Sequence, residues 1–544
     1  MIFSLKKDNK INLPGSLEDF SLVNSSGLND RNFNRIVISP KIRFKYLSIE
    51  NNKLNDSSLI KFLIQLHSKV DTLSLSKNKI TGTVFYNLLK NQKQSIEINN
   101  LILNENPIND FGFWAFTQLP WNIKKMDISL LNITDNSIKG IISKKINLGL
   151  KYLTTLNIGN NYISAKSITQ IMQMFKGHLI SLSIGNVNSI NIQQVAENIP
   201  KHLEFFSLEG NILSDKEISI LAPNLPKNLS YLDLRGSSFG IFGAQKLAIN
   251  MPRLSKFFFD FKYGEGHLSF NYLLHNLSPY LVEFSQIPDG LSYKNSLLLA
   301  KKMPPYLATI NIQEFENEEC KIVLANLPNS LRKLQFIGEL HSKGETLNVL
   351  SDHYPSHLMT LGVEGGVGPS ESDIFLKHPD RKYLELFTPS HTVNSFSQQF
   401  IKSESLFNIV YKGELKPEYF KDINFSIATS LSSNSYIVPI NFLNSIKESQ
   451  VKEVKNMSLN FQVAPKELFK FIKKLPHQLF GLQISNSLIK LEDVDMLISV
   501  LPQEIKILIL NVTIGENGKN KLLAYKAYKE EKTGMPFIIR INGE

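Results

Sequence analysis

The chain has 544 residues, 42% of them hydrophobic and 20% charged, which excludes wholesale disorder and allows a continuous core. Its formal net charge of +11 is almost all lysine: only eight of the 60 basic residues are arginine, the side chain that forks onto phosphate and guanine, so the charge speaks against nucleic acid as partner. Cys320 is the single cysteine, which excludes an internal disulfide framework and a cysteine-based zinc site and fits a reducing compartment.

In chain order, Met1 to Lys7 lacks the apolar stretch of a signal peptide, and no later run approaches the ~18 apolar residues of a membrane span. From the first strand onward one phrase recurs, Leu-x-x-Leu-x-Leu-x-x-Asn-x-Leu. Copies are Phe44-Leu47-Ile49-Asn52-Leu54, Val70-Leu73-Leu75-Asn78-Ile80, Ile98-Leu101-Leu103-Asn106-Ile108, Leu153-Leu156-Ile158-Asn161-Ile163 and Leu203-Phe206-Leu208-Asn211-Leu213. The second leucine of each copy marks a strand. The markers run Phe20, Leu47, Leu73, Leu101, Met126, Leu156, Leu182, Phe206, Leu232, Phe257, Phe284, Ile310, Leu334, Leu361, Leu384, Ile409, Met457, Leu482 and Leu508. They are spaced about 23 to 30 residues apart, except for nearly two periods between Ile409 and Met457, where a degenerate repeat is expected around 427–433.

A fixed period of this content predicts an α/β leucine-rich repeat solenoid, a horseshoe of about twenty repeats with parallel strands on the concave face and helices on the convex face. Strand alternation sends the leucines inward and the intervening residues to the concave face. The asparagine follows the strand, where its amide can satisfy backbone groups left unpaired by the turn. Ile168, Ile171, Met172 and Phe175 are spaced for an amphipathic helix over 163–175, and 218–222 and 243–248 read likewise. Pro200, Pro226, Pro252, Pro304, Pro305, Pro328, Pro476 and Pro502 stop the helix before the next strand. The expected divisions are an N-terminal cap over 1–16, repeats over 17–515 with irregularity around 410–450, and a C-terminal cap over 516–544, where Leu522, Leu523, Tyr525 and Tyr528 cover the last repeat.

The period, with Gly243-Ala244-x-x-Leu247-Ala248 at a helix start, resembles the ribonuclease-inhibitor type of leucine-rich repeat. Leu225-Pro226-Lys227-Asn228-Leu229, Leu327-Pro328-Asn329-Ser330-Leu331 and Leu475-Pro476-His477-Gln478-Leu479 also resemble bacterial effector repeats. With the Asn, Ile and Lys richness, the chain looks like the Legionella leucine-rich repeat effectors of the type IV (Dot/Icm) secretion system. That resemblance implies delivery into the host cytoplasm without a cleaved signal peptide, a C-terminal export signal within 516–544 and a host protein as partner. A plain cytoplasmic location is the alternative.

Candidate chemistry is sparse. Secreted bacterial leucine-rich repeat ubiquitin ligases carry a catalytic cysteine in a separate helical domain for which this chain has no room, and Cys320 sits on a repeat's helical leg after Glu318 and Glu319, carboxylates that oppose reactivity. His178, His202 and His357 recur at the turn into a strand, and Pro355 blocks a helical His353/His357 pair, so no metal site is expected. Gly362, Gly365, Gly366 and Gly368 lack the Lys-Ser/Thr of a phosphate loop. No cofactor follows from any of these, and the expected molecule is a non-enzymatic monomer that binds a protein. The rival is an adaptor or enzyme of the ubiquitin pathway, or another catalytic effector, with chemistry around 410–450 or in the tail.

The concave face carries the functional signal. Its N-terminal third is small or polar, with Ser74, Ser76, Lys77, Asp127, Ser129, Asn157 and Gly159. Beyond residue 254 the phrase degrades, the asparagine position becoming Lys262, Phe315, Glu339 and Gly366, and large groups appear. The partner-binding residues expected there are Phe258, Asp260, Phe261, Gln313, Glu314, Ile337, Glu364, Phe387 and Lys412, aromatics ringed by acids as at an interface hot spot.

Overall fold

The computed structural model describes residues 11–541, less 14–17, 24–32, 53–55, 92–95, 144–149, 314–316, 338–348, 364–382, 390–405, 413–427, 434–455, 461–463, 486–488, 534–536 and a few single or paired positions. The chain divides into two compact units, Met1–Leu281 (with Glu544) and Val282–Gly543. Both are built from alternating strands and helices with the strands parallel, the α/β leucine-rich repeat solenoid class.

In the first unit a short N-terminal strand, β1 (Ile11–Asn12), pairs with β3 (Ile36–Val37). The main ladder is β2 (Asp19–Val23), β4 (Phe44–Glu50), β5 (Val70–Ser74), β6 (Ile96–Ile102), β7 (Trp121–Asp127), β8 (Thr155–Asn157), β9 (Ser181–Ser183), β10 (Phe205–Ser207), β11 (Tyr231–Phe239) and β12 (Lys256–Phe261). Its register joins Phe20, Leu47, Leu73, Leu101, Met126, Leu156, Leu182, Phe206, Leu232 and Phe257 in one row, the markers read from the phrase. All ten are buried, because the alternating face of every strand turns toward the helices.

The asparagines explain how one repeat holds the next. Asn106 Nδ2 donates to the carbonyl of Leu103 in its own turn (2.7 Å) and to that of Leu75 in the preceding repeat (2.9 Å). Its Oδ1 accepts from the Asn78 and Ile80 amides at 3.1 and 3.2 Å. Asn161 and Asn211 repeat the pattern on Ile128 and Ile184. Each such asparagine is buried and satisfies backbone groups that no strand partner reaches. On the helical side a second ladder uses carboxylates. Asp110 accepts from the Thr134 amide and hydroxyl (2.7 and 2.6 Å) and from the Ser137 hydroxyl, and Asp215 from the Gly240 and Gly243 amides (2.9 and 2.6 Å). Helices Gly82–Asn91 and Asn109–Thr117 meet through glycine: a Cβ on Gly112 would lie 2.1 Å from the Gly82 Cα.

The Leu-Pro-x-x-Leu phrase is a turn. The carbonyls of Pro200, Pro226, Pro304, Pro328, Pro355 and Pro476 accept from the amide three residues on, delivering Leu203, Leu229, Leu307, Leu331, Leu358 and Leu479 to the core. The helices expected from periodicity are present as Ala165–Met174, Asp215–Leu221 and Ile241–Ile249.

The second unit contains β13 (Glu283–Phe284), β14 (Thr309–Gln313), β15 (Lys333–Ile337), β16 (Thr360–Val363), β17 (Tyr383–Pro389), β18 (Leu406–Lys412) and β19 (Ala428–Ser433), then a four-stranded sheet of β20 (Asn456–Asn460), β21 (Gly481–Ser485), β22 (Ile507–Asn511) and β23 (Ile538–Ile541). Its register differs from the sequence reading at one strand: Leu361 pairs with Leu386, not Leu384, and Leu386 with Ile409. The slip is two residues, so the faces do not exchange. β19 lies within the double-length interval, Leu431 opposite Ile409.

The segment 516–544, expected as a cap, adds one more helix, Glu516–Thr533, and one more strand, β23, paired to β22. Leu522 is buried and Tyr525 packs on the core of this region, but Tyr528 faces solvent. Lys529 is buried instead, its amine 4.5 Å from the Phe537 ring centroid and 5.9 Å from that of Tyr525, and burial holds its pKa below the usual lysine range.

Candidate functional site

The first unit's sheet turns one face to the helices and leaves the other, expected to be concave, open. Across β8 to β12, open-face residues fall into rows set by the register. One row is Thr155, Ser181, Phe205, Tyr231, Lys256; the next is Asn157, Ser183, Ser207, Asp233, Phe258. Side chains are small on β8 and β9 and become aromatic from β10 onward. The Phe205 and Tyr231 rings stack with centroids 3.9 Å apart and planes 16° from parallel, and Tyr231 meets Phe258 at 5.5 Å. Three adjacent strands therefore present one aromatic strip.

Beside the strip lies a charged cluster. Arg235 donates through Nε and Nη2 to both oxygens of Asp233 (3.0 and 2.6 Å), its Nη2 stands 3.2 Å from Glu209, and its guanidinium lies 5.1 Å from the Phe258 ring centroid. Asp233 is nearly inaccessible, so this fork, with the Arg235 amide at 3.1 Å and the Tyr231 hydroxyl at 3.3 Å, replaces the water it has lost. Its hydrogen bonds to Asp233 raise the Arg235 pKa, and burial, helped by the Asp233 charge, pushes the Tyr231 phenol up to about 12. Arg235 stays charged and Tyr231 neutral at any physiological pH. The arginine is thus fixed in place before anything binds, which lowers the entropy cost of using it.

Adjoining the cluster is a groove of about 440 Å³ drawn from four consecutive repeats. Gly159, Gly185, Gly210 and Gly236 give it no side chains, Asn157, Asn160 and Asn186 supply amides, and Glu209 and Arg235 close one side. The chain turns there through left-handed residues: Asn160 and Asn186 at φ of 56° and 48°, then Gly210 and Gly236 at 78° and 84°. A Cβ on Gly185 would lie 2.5 Å from the Glu209 carbonyl oxygen, so close approach of backbones requires glycine at this position.

Of the residues expected from sequence, Phe258 is on the open face and half-buried in the cluster. Asp260 accepts from the Gly236 amide at 2.7 Å, bracing the turn of the preceding repeat. Phe261 is a correction. β12 runs through it, so alternation returns its ring to the inner side, 5.4 Å from Phe239 and 4.8 Å from Phe259, both fully buried. In the second unit Gln313 and Ile337 are register partners on adjacent strands, both half-buried. Phe387 is opposite Gly362 and Val410, and Lys412 opposite Pro389, in the backbone register. Glu314 and Glu364 lie outside the described residues, as do Gly365, Gly366 and Gly368. Of the N-terminal concave residues, Ser74 and Ser76 are buried and hydrogen-bonded to each other. Sequence reading missed Phe205, Tyr231, Asp233, Arg235 and Glu209. Aligning the markers Phe206 and Leu232 would have shown two aromatics one residue before them, in adjacent repeats.

Cys320 is fully buried on helix Asn317–Leu324, and burial pushes its thiol up to about 12. Among the described residues no three His, Cys, Asp or Glu side chains cluster as metal ligands, and no helix is long and apolar enough to cross a membrane.

No family model matches the chain. It is similar to a glucose-6-phosphate isomerase of Buchnera aphidicola subsp. Cinara cedri, at 22% identity over 174 residues, 32% of this chain. The match spans about a third of that enzyme (31%). Among solved structures it is similar to the leucine-rich repeat ectodomain of the plant membrane receptor kinase GASSHO1/SCHENGEN3 from Arabidopsis thaliana, solved in complex with Casparian strip integrity factor 2. Identity there is 13%, the TM-score 0.30, and the match covers 91% of this chain and 67% of that one. At such levels neither match carries an activity or a partner to this chain, whose repeat architecture rests on its own strands, turns and asparagines.

Proposed function

We propose that the chain is a non-enzymatic binding module that holds a partner protein on the open face of its sheet, with Phe205, Tyr231, Phe258 and Arg235 as anchors. What carries the reading is the aromatic strip with a pre-positioned arginine beside it. Aromatic and arginine side chains in half-buried, tightly packed surroundings are the residue types that dominate interface energetics. Repeat arrays use such extended sheet faces for binding. In the second unit the proposal keeps Gln313, Glu314, Ile337, Glu364, Phe387 and Lys412 as contact positions.

The biological setting we propose is that of a monomeric bacterial effector secreted into the host cytoplasm without a cleaved signal peptide, its partner a host protein. The Leu-Pro-x-x-Leu repeat style and the Asn, Ile and Lys richness support it. The test is proximity labelling and pull-down from host lysate with the wild type, with Tyr231→Ala/Phe258→Ala, and with Phe242→Ala on the exposed helical side as control. A true partner is lost from the double variant, by at least about 2 kcal/mol of affinity, and kept by the control. Retention by the double variant and loss from the control would place binding on the helices instead.

A further inference from the structure

We infer that the groove beside Glu209 receives a basic side chain, lysine or arginine, carried on an extended segment of the partner protein. The inference rests on the open-face reading above and adds the chemistry of the ligand.

Charge decides the sign. Among the described residues Arg235 is the one cation lining the groove, and its Nε and Nη2 are already committed to Asp233. Two carboxylates, Asp233 and Glu209, share that single positive charge, which leaves the site with a net negative charge. The excess resides on Glu209, whose side chain is 52% exposed and which meets Arg235 only through the same Nη2 that Asp233 holds closer (3.2 against 2.6 Å). Asp260 adds a further carboxylate one strand on. This is an acidic locus in a chain of net charge +11. At physiological salt the long-range repulsion from that net charge is screened within about 8 Å, while a contact with Glu209 is not.

Shape agrees. The four glycines let successive repeats approach closely, so the groove is walled largely by backbone, and the amides of Asn160 and Asn186 each offer a donor and an acceptor, the complement of a peptide unit. An extended segment crossing the repeats would lay its amides along these asparagines and set one side chain against Glu209. The Tyr231 and Phe258 rings stand next to the cluster, where the apolar stem of a long cation would lie against them.

The experiment selects a phage-displayed library of short random peptides on the full chain and measures each selected peptide by fluorescence anisotropy. The expected result is enrichment of peptides with lysine or arginine among small residues, at least tenfold weaker on Glu209→Lys, with that variant's circular dichroism unchanged because the side chain is half-exposed and outside the core. Peptides that lose binding to Tyr231→Ala/Phe258→Ala, yet are acidic or indifferent to Glu209→Lys, would overturn the basic-ligand inference and leave the open-face reading standing. Peptides indifferent to both variants, or no enrichment at all, would overturn both.

Discussion

Replacing Asn106 by alanine deletes one rung of the ladder that joins successive repeats. The side chain donates to the carbonyls of Leu103 and Leu75 and accepts from the amides of Asn78 and Ile80. The Leu75 carbonyl keeps a second donor, Asn78 Nδ2 at 2.9 Å, but Leu103, Asn78 and Ile80 lose their side-chain partner in a buried setting. A buried backbone group left unsatisfied costs about 1 to 3 kcal/mol, so three of them, partly relieved by water in the new space, should destabilise this region by about 3 to 5 kcal/mol. The half-exposed Asn104, two residues earlier, is the control, and its alanine variant should stay within about 0.5 kcal/mol. Urea unfolding gives the global change. Because repeat arrays can open segment by segment, hydrogen exchange at Asn78, Ile80 and neighbouring amides gives the local one. If Asn106→Ala and Asn104→Ala agree within 1 kcal/mol in both measurements (about the error of a hydrogen-bond estimate), the ladder does not bind the repeats together as argued.

Gly112→Ala should lower the melting temperature markedly, since its Cβ would meet the Gly82 backbone at 2.1 Å, whereas Gly177→Ala, with nothing within 4 Å, should leave it unchanged or raise it. Stability should fall on acidification. Burial alone would raise the Asp110 pKa, but hydrogen bonds from Ser137 and Thr134 together outweigh it and hold it below the usual 3.8. A depressed folded value means that the stabilisation is complete above about 3.8 and is lost as pH falls through the folded value, so Asp110→Asn should flatten the melting-temperature profile in that window. Cys320 should resist maleimide in the native protein and react fully in urea, since burial both shields the thiol and suppresses the thiolate; rapid native labelling would contradict its placement in the core.

Much of the architecture was legible in the residues because it is periodic. The row from Phe20 to Phe257 could be read directly, since each strand must send the same alternate positions into a core that neighbouring repeats share. The role of the asparagines followed as well: a residue at a fixed place after every strand has to answer a need that recurs there. Where the phrase weakens, the reading weakened too. Phe261 was expected on the concave face, but β12 extends through it and alternation turns its ring inward. Leu384 was chosen where Leu386 holds the register, because both fit the pattern and only pairing with Leu361 separates them. Tyr528 looked like a cap residue by spacing, yet Lys529 is the one that the Phe537 ring covers.

The site belongs to the tertiary structure altogether. Phe205, Tyr231 and Phe258 come from three repeats, as do Glu209, Arg235 and Asp260, and no single copy of the phrase contains a cluster. Parallel pairing sets equivalent positions of successive repeats one strand apart, within about 5 Å. That lateral step, which a one-dimensional pattern does not record, turns separate residues into an aromatic strip, a shared charge and a glycine-lined groove.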